Sequence, residues 1–144
     1  MIVAIPLFSR YLYSYYYLYS FRNPEAWEDG VKELAGYLEP IKSNYQKIYV
    51  TEQYDQPYIL FLFYTKYPPA KFQKQAVLTP RDRFGFSTIR DLDNYHFDFI
   101  DWDKLKREEN VLICGTIKEI PENAKIIKEI KFRNGSIAYR CAVP

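Results

Sequence analysis

The chain has 144 residues, enough for one domain, with 19% aromatic residues and a formal charge of +2 from 20 basic and 18 acidic side chains. That near balance gives none of the concentrated basic stripe that nucleic-acid binders carry, and the densest basic group, Lys71, Lys74, Arg81 and Arg83, reads as a solvated loop. Two cysteines outside any C-x-x-C pair and a single histidine are too few for a tetrahedral zinc site, and no metal or cofactor is expected.

Residues 1–22 differ from the rest. They contain no acid, and their only bases are Arg10 and Arg22. The run YLYSYYYLYS, residues 11–20, holds six tyrosines in ten positions. No apolar run reaches the roughly 18 residues of a full membrane span. The order of features that marks a signal peptide is missing too. From residue 23 the pattern becomes that of an ordinary folded domain.

FRNPEAWEDGVKELAGYLEP predicts a helix. Asn23 is placed as its N-cap and Pro24 at its first position. Trp27, Val31, Leu34 and Leu38 form one apolar stripe, and Pro40 stops the helix. KIYVTE, residues 47–52, is a short strand. After the turn TEQYDQP, with Asp55 or Gln56 as cap, PYILFLFYTKY reads as a helix buried on nearly every side. A connector with a helical turn at Ala70–Gln73 follows. STIRDL and YHFDFIDW read as two strands joined at Asp93-Asn94. Strand alternation puts Tyr95, Phe97, Phe99 and Asp101 on one face and His96, Asp98, Ile100 and Trp102 on the other. DKLKREEN is a loop or a helical turn. NVLICGT is an apolar, central strand. Thr116 and Glu119 make a short capping-box signature. KIIKEIKF and SIAYRCAV flank an Asn-Gly hairpin signal. The expected fold is therefore α/β: one layered domain, with a mixed sheet of about six strands and two main helices against it.

No phosphate loop, HExxH or GxSxG motif is present, and five glycines leave little for a phosphate cradle. The candidate acid/base groups are Glu52, Asp55, Asp98, Asp101 and Asp103. The run DFIDWD reads most simply as a strand end entering a charged loop. His96 shares a strand face with Asp98 but has no obvious nucleophile beside it. TEQYDQPY is the best-placed binding segment, since it combines the carboxyl end of a strand with the start of a helix. Cys114 and Cys141 lie in two predicted strands. A disulfide between them requires those strands to be neighbours, and buried free thiols fit the sequence as well.

The order of these segments resembles a known group. FRNPEAWEDGVKELAGYL, KIYVTEQYDQPYILFLFYTKYPPAKFQ, FGFSTI, YHFDFIDWD, VLICGT, EIPENAKIIKEI and NGSIAYRC are similar to the C-terminal extracytoplasmic domain of GT-C type membrane glycosyltransferases of bacteria and archaea. The group is the dolichyl-phosphate-mannose–protein mannosyltransferase-like (family 39-like) enzymes. Trp27, Gly30, Lys32 and Glu33 match a first motif. Thr51, Tyr54, Gln56, Pro57, Tyr58, Tyr64, Lys66, Tyr67 and Gln73 match a second. The likeness spans roughly residues 10–143 and is weakest in the later strands.

The resemblance implies that residues 1–22 are the aromatic exit of a last membrane helix, with tyrosines at the headgroup level. An aromatic helix packed on the domain is the alternative. It implies a place on the extracytoplasmic face of the cell membrane, beside a membrane-embedded glycosyltransferase region that carries the catalytic acid and the sugar donor. The segment in hand would then be accessory: it would bind a glycan or peptide acceptor, or a partner, and no catalytic residue is assigned to it. Trp27, Glu52, Tyr54, Asp55, Gln56, Tyr58, His96 and Trp102 are the expected ligand contacts. Two other readings stay open. One is a structural or interaction domain at the membrane surface. The other is a small hydrolase, which requires His96, Asp98 and Asp101 to converge.

Overall fold

Short apolar strand runs and two one-sided helical stripes meet across a single mixed sheet. The computed structural model describes residues 4–144, so Met1, Ile2 and Val3 of the apolar N-terminal segment lie outside the described residues. The strands are β1 (Lys47–Val50), β2 (Asp91–Leu92), β3 (Tyr95–Phe97), β4 (Val111–Gly115), β5 (Lys125–Lys131) and β6 (Ile137–Val143), in the spatial order β2-β3-β1-β4-β6-β5. β1 pairs in parallel with both β3 and β4, and the remaining pairs are antiparallel. The α/β class with a six-strand mixed sheet is as the sequence predicts.

The helical segments are α1 (Ala4–Tyr13), a π-helical stretch Ser14–Tyr19, α2 (Ser20–Arg22), a 3-10 turn Pro24–Trp27, α3 (Val31–Leu38), a second 3-10 turn Lys42–Asn44, α4 (Pro57–Tyr64), α5 (Pro69–Gln75) and α6 (Trp102–Leu105). One core joins Val31, Leu34, Ala35 and Leu38 of α3 and Phe61 of α4 to Ile48, Val50, Tyr95, Phe97, Leu112 and Tyr139 of the sheet. The second, on the other side, gathers Tyr49, Ile113 and Ala142 with Ile100, Leu105 and Ile120. β4 is buried at every position, as expected of a central strand.

The expected helix from Asn23 breaks in two. Pro24–Trp27 is a 3-10 turn, Glu28 and Gly30 take positive φ, and the α-helix begins only at Val31. Asn23 makes no side-chain cap there. Val31, Leu34 and Leu38 keep the stripe, but Trp27 leaves it and is 47% exposed. The break has a tertiary cause. The Asp29 carboxylate accepts from the Arg133 backbone N–H at 2.9 Å and from its Nε at 3.2 Å, tying this bend to the β5–β6 turn. Helix α4 is the second correction. Only Pro57 and Phe61 are buried, while Ile59, Phe63 and Tyr64 face outward, because the sheet covers one side alone.

The alternation predicted for YHFDFIDW holds for Tyr95, His96 and Phe97 and then fails. Phe99 is 64% exposed and Ile100 is buried. The ladder stops because the Phe99 N–H donates to Asp98 Oδ1 and the Ile100 N–H to Glu119. Cys114 and Cys141 face each other across β4 and β6 at a Cα separation of 4.1 Å and form a disulfide.

Gly30 has φ +93°, and a Cβ there would sit 3.1 Å from Ala138 Cβ. Gly30→Ala is expected to lower the unfolding free energy by about 1–3 kcal/mol, seen as a lower urea midpoint at unchanged slope. An unmoved midpoint would mean that this bend relaxes freely.

Candidate functional site

Three parallel strands bring their carboxyl ends to one edge of the molecule. Loops 51–56, 98–101 and 116–120 leave β1, β3 and β4 there. Glu119 ties them together. Its Oε1 accepts from the Thr51 hydroxyl at 2.8 Å and the Ile100 N–H at 3.0 Å. Its Oε2 accepts from the Thr116 N–H at 2.8 Å and the Thr116 hydroxyl at 2.9 Å. The Thr116 backbone contact is the capping-box half visible in the sequence. Thr51 and Ile100, distant in the chain, complete the set. Sequence reasoning missed this role for Glu119, and the T-x-x-E spacing was the one signal of it.

Beside this junction lies a crevice of about 260 Å³ lined by Glu52, Asp55, Gln56, Asp82, Phe86 and Phe99, with Thr79 and Thr88. It is smaller than the roughly 300–1,000 Å³ common for drug-sized ligands, so it suits one small polar moiety. Of the expected contacts, Glu52, Asp55 and Gln56 line it. Gln56 starts α4 without capping it through its side chain.

The other expected contacts are placed elsewhere. Tyr54 turns inward: its ring meets Tyr139 and Phe132 edge-on and its hydroxyl donates to the Ala138 carbonyl at 3.1 Å. Burial, with the Glu25 and Glu119 charges adding to it, pushes that phenol up to about 12. Tyr58 packs on Phe97. Trp27 stands edge-on to Tyr15 and Tyr19 of the N-terminal helix. Trp102 opens α6 and packs on the second core.

His96 lines a separate groove of about 250 Å³ together with Asp98 and Asp101. Their bonds run outward from one another. His96 Nδ1 lies 2.7 Å from Asp91, Asp98 pairs with Arg90 at 3.1 Å, and Asp101 accepts from the Lys104 N–H as the cap of α6. Tyr49 in the same groove donates to Glu108 at 2.7 Å, and burial followed by that bond pushes its phenol up to about 12. No serine, threonine or cysteine lines the groove.

The crevice has unusual electrostatics. Glu52 Oε1 is buried and has no hydrogen-bond partner among the described residues. Burial raises the Glu52 carboxyl above its ordinary range; Asp98 and Asp55 add repulsion and Arg90 opposes. Glu28 is raised in the same way, by burial and then by Asp55, and its Oε2 also has no partner among the described residues. The Gln56 amide can donate and accept, and the Glu52 and Asp55 carboxyl groups offer acceptor oxygens. Exposed rings at Phe86 and Phe99 flank them. Such a set can hold hydroxyl groups. Among the described residues no three acidic, histidine or cysteine side chains are grouped to hold a metal ion.

No protein-family model, no curated protein and no solved structure matches the chain.

Glu119→Ala removes the acceptor of four donors and is expected to cost about 2 kcal/mol in urea unfolding; an unchanged midpoint would show that water replaces the carboxylate. Glu52 makes a pH-dependent contribution. Its folded chain keeps the proton to higher pH than the unfolded chain, whose ordinary value is 4.5. That contribution is full below 4.5 and is lost as pH rises through the raised folded value. Glu52→Gln should therefore flatten the decline in stability toward neutral pH. A parent and variant with parallel pH profiles would contradict the raised carboxyl.

Proposed function

We propose that the chain is an accessory, extracytoplasmic domain of a polyprenyl-phosphate-sugar-dependent glycosyltransferase, held at the membrane surface by residues 1–22. In this reading it contacts a glycan or peptide acceptor, or the membrane-embedded catalytic region, and transfers no sugar alone. One observation carries the membrane part. From Ala4 to Arg22 the chain is helical, no residue of it is buried, and Phe8, Tyr11, Tyr13, Tyr16 and Tyr17 are all exposed. The domain does not use these rings. Tyrosine is the residue whose apolar ring and polar hydroxyl fit the headgroup zone. No helix among the described residues is long and apolar enough to cross a membrane.

The glycosyltransferase part is supported by the places of the motif residues. Trp27 touches the tyrosine helix, Gly30 makes the tight bend after it, and Gln56 lines the crevice. Other motif residues lie away from that crevice: the Tyr67 hydroxyl donates to Asp93 in the β2–β3 turn at 2.9 Å, and Glu33 pairs with Lys128 at 3.1 Å. Carboxyl, amide and aromatic groups in that cleft match the needs of a polyhydroxylated acceptor.

The groove of His96, Asp98 and Asp101 keeps a hydrolase reading in view, and Asp98→Ala distinguishes it: a hydrolase would lose turnover while staying folded.

Liposome flotation of the full chain beside one lacking residues 1–22 tests the main reading. Only the full chain should float, and the trimmed one should keep its circular-dichroism spectrum. Two soluble chains that both fail to float would sink the proposal.

A further inference from the structure

We propose that the carboxyl end of the sheet is itself a second membrane contact, docking on an anionic lipid surface through Phe84, Phe86, Phe99 and Ile117. This rests on the reading of the N-terminal helix as a membrane-surface segment and adds to it the orientation of the domain.

The four side chains are 68%, 66%, 64% and 51% exposed. They come from three different loops but from one end of the molecule. Phe86 and Phe99 line the crevice with Glu52 and Gln56. On the other side of the same 51–56 loop, Gln53 and Tyr54 share a second cavity with Ile117, Lys118 and Glu25. Glu25 lies three residues past the end of the tyrosine helix at Arg22. The helix therefore joins the body on the end that carries the exposed rings.

Cations stand beside these rings, at the rim of a crevice whose lining carries Glu52, Asp55 and Asp82. Arg81, Arg83 and Lys118 flank the rings, and none has a carboxylate within ion-pair distance among the described residues. The Arg83 guanidinium lies 4.6 Å from the Phe84 ring centre. Asp82, between the two arginines, is itself exposed, and its Oδ1 accepts from the Phe84 N–H at 2.8 Å and the Phe86 N–H at 2.9 Å. Gly85, at φ +87°, completes this tight tip. The loop thus presents aromatic rings beside unpaired cations and holds its own acid by backbone N–H groups. Aromatic side chains with adjacent Lys and Arg are the combination that binds a negatively charged headgroup layer. Docked so, the mouth of the Glu52 crevice opens at the lipid surface.

The test uses the full chain with a nitroxide on Phe84→Cys, and for comparison on Gln46→Cys beside the amino end of β1. The buried Cys114–Cys141 disulfide does not compete for the label. Vesicles are an equal mixture of phosphatidylcholine and phosphatidylglycerol, and flotation is checked first. The label at position 84 should lose collisions with a water-soluble nickel chelate and gain them with oxygen, while the label at position 46 stays unchanged. R81E/R83E in the otherwise unaltered chain should reduce binding to these vesicles several-fold and leave binding to pure phosphatidylcholine unchanged. If the chain floats but position 84 stays open to the nickel chelate, this contact is wrong and the helix anchors alone. If the chain does not float, the membrane reading itself falls.

Discussion

The carboxylate of Glu119 is the constraint on which the carboxyl end of the sheet depends. Parallel strands splay where their ladders stop, and the backbone groups beyond them need partners. Here the Ile100 and Thr116 amides would be stranded past the ends of β3 and β4. One charged acceptor serves both, and the Thr51 hydroxyl as well. Hydrogen bonds to a charged group are roughly twice as strong as neutral ones, so the loops after all three strands are held to one point. Gly115 makes room for this: a Cβ there would lie 3.3 Å from Glu119 Oε2 and 3.2 Å from Ile120. The crevice of Glu52 and Asp55 is shaped by loops that this junction holds in place.

A second division follows from the core. Its buried residues begin at Val31 and come from the sheet, α3, α4 and the loops between them. The tyrosine helix contributes none. Its rings stack on one another and on Trp27, which is little compared with the apolar area still facing outward. Burial of such area is the main favourable term available to a chain, so a helix that leaves it uncovered has a surface to offer to something else. Both signs of charge meet at the carboxyl end of the sheet. Arg81, Arg83 and Lys118 are exposed around the rings of Phe84, Phe86 and Phe99, and Glu52, Asp55 and Asp82 line the crevice beside them.

Much of the fold was legible in the sequence because it rests on local rules. The Asn-Gly signal marked the β5–β6 hairpin, with Gly135 at φ +89°. The stripe Val31, Leu34 and Leu38 found its core face, and the unbroken apolar run of β4 found the centre of the sheet. TEQYDQPY does run from a strand's carboxyl end into a helix, and Glu52, Asp55 and Gln56 line a cleft there. The same periodicity misplaced Trp27, Phe99 and the outer face of α4. Each of those depends on a distant partner: Arg133 at Asp29, Glu119 at Ile100, and a sheet that covers one side only.

By itself, the sequence determined the class of the fold, its strand and helix segments, and the strangeness of residues 1–22, because propensity, turn chemistry and composition act over a few residues. Only the tertiary structure decided which groups meet. It paired Cys114 with Cys141, left Glu52 Oε1 without a partner among the described residues, sent Tyr54 inward and brought Phe86 and Phe99 to one crevice. Those outcomes depend on strand order and on loops converging from far apart in the chain, and local patterning carries no record of either.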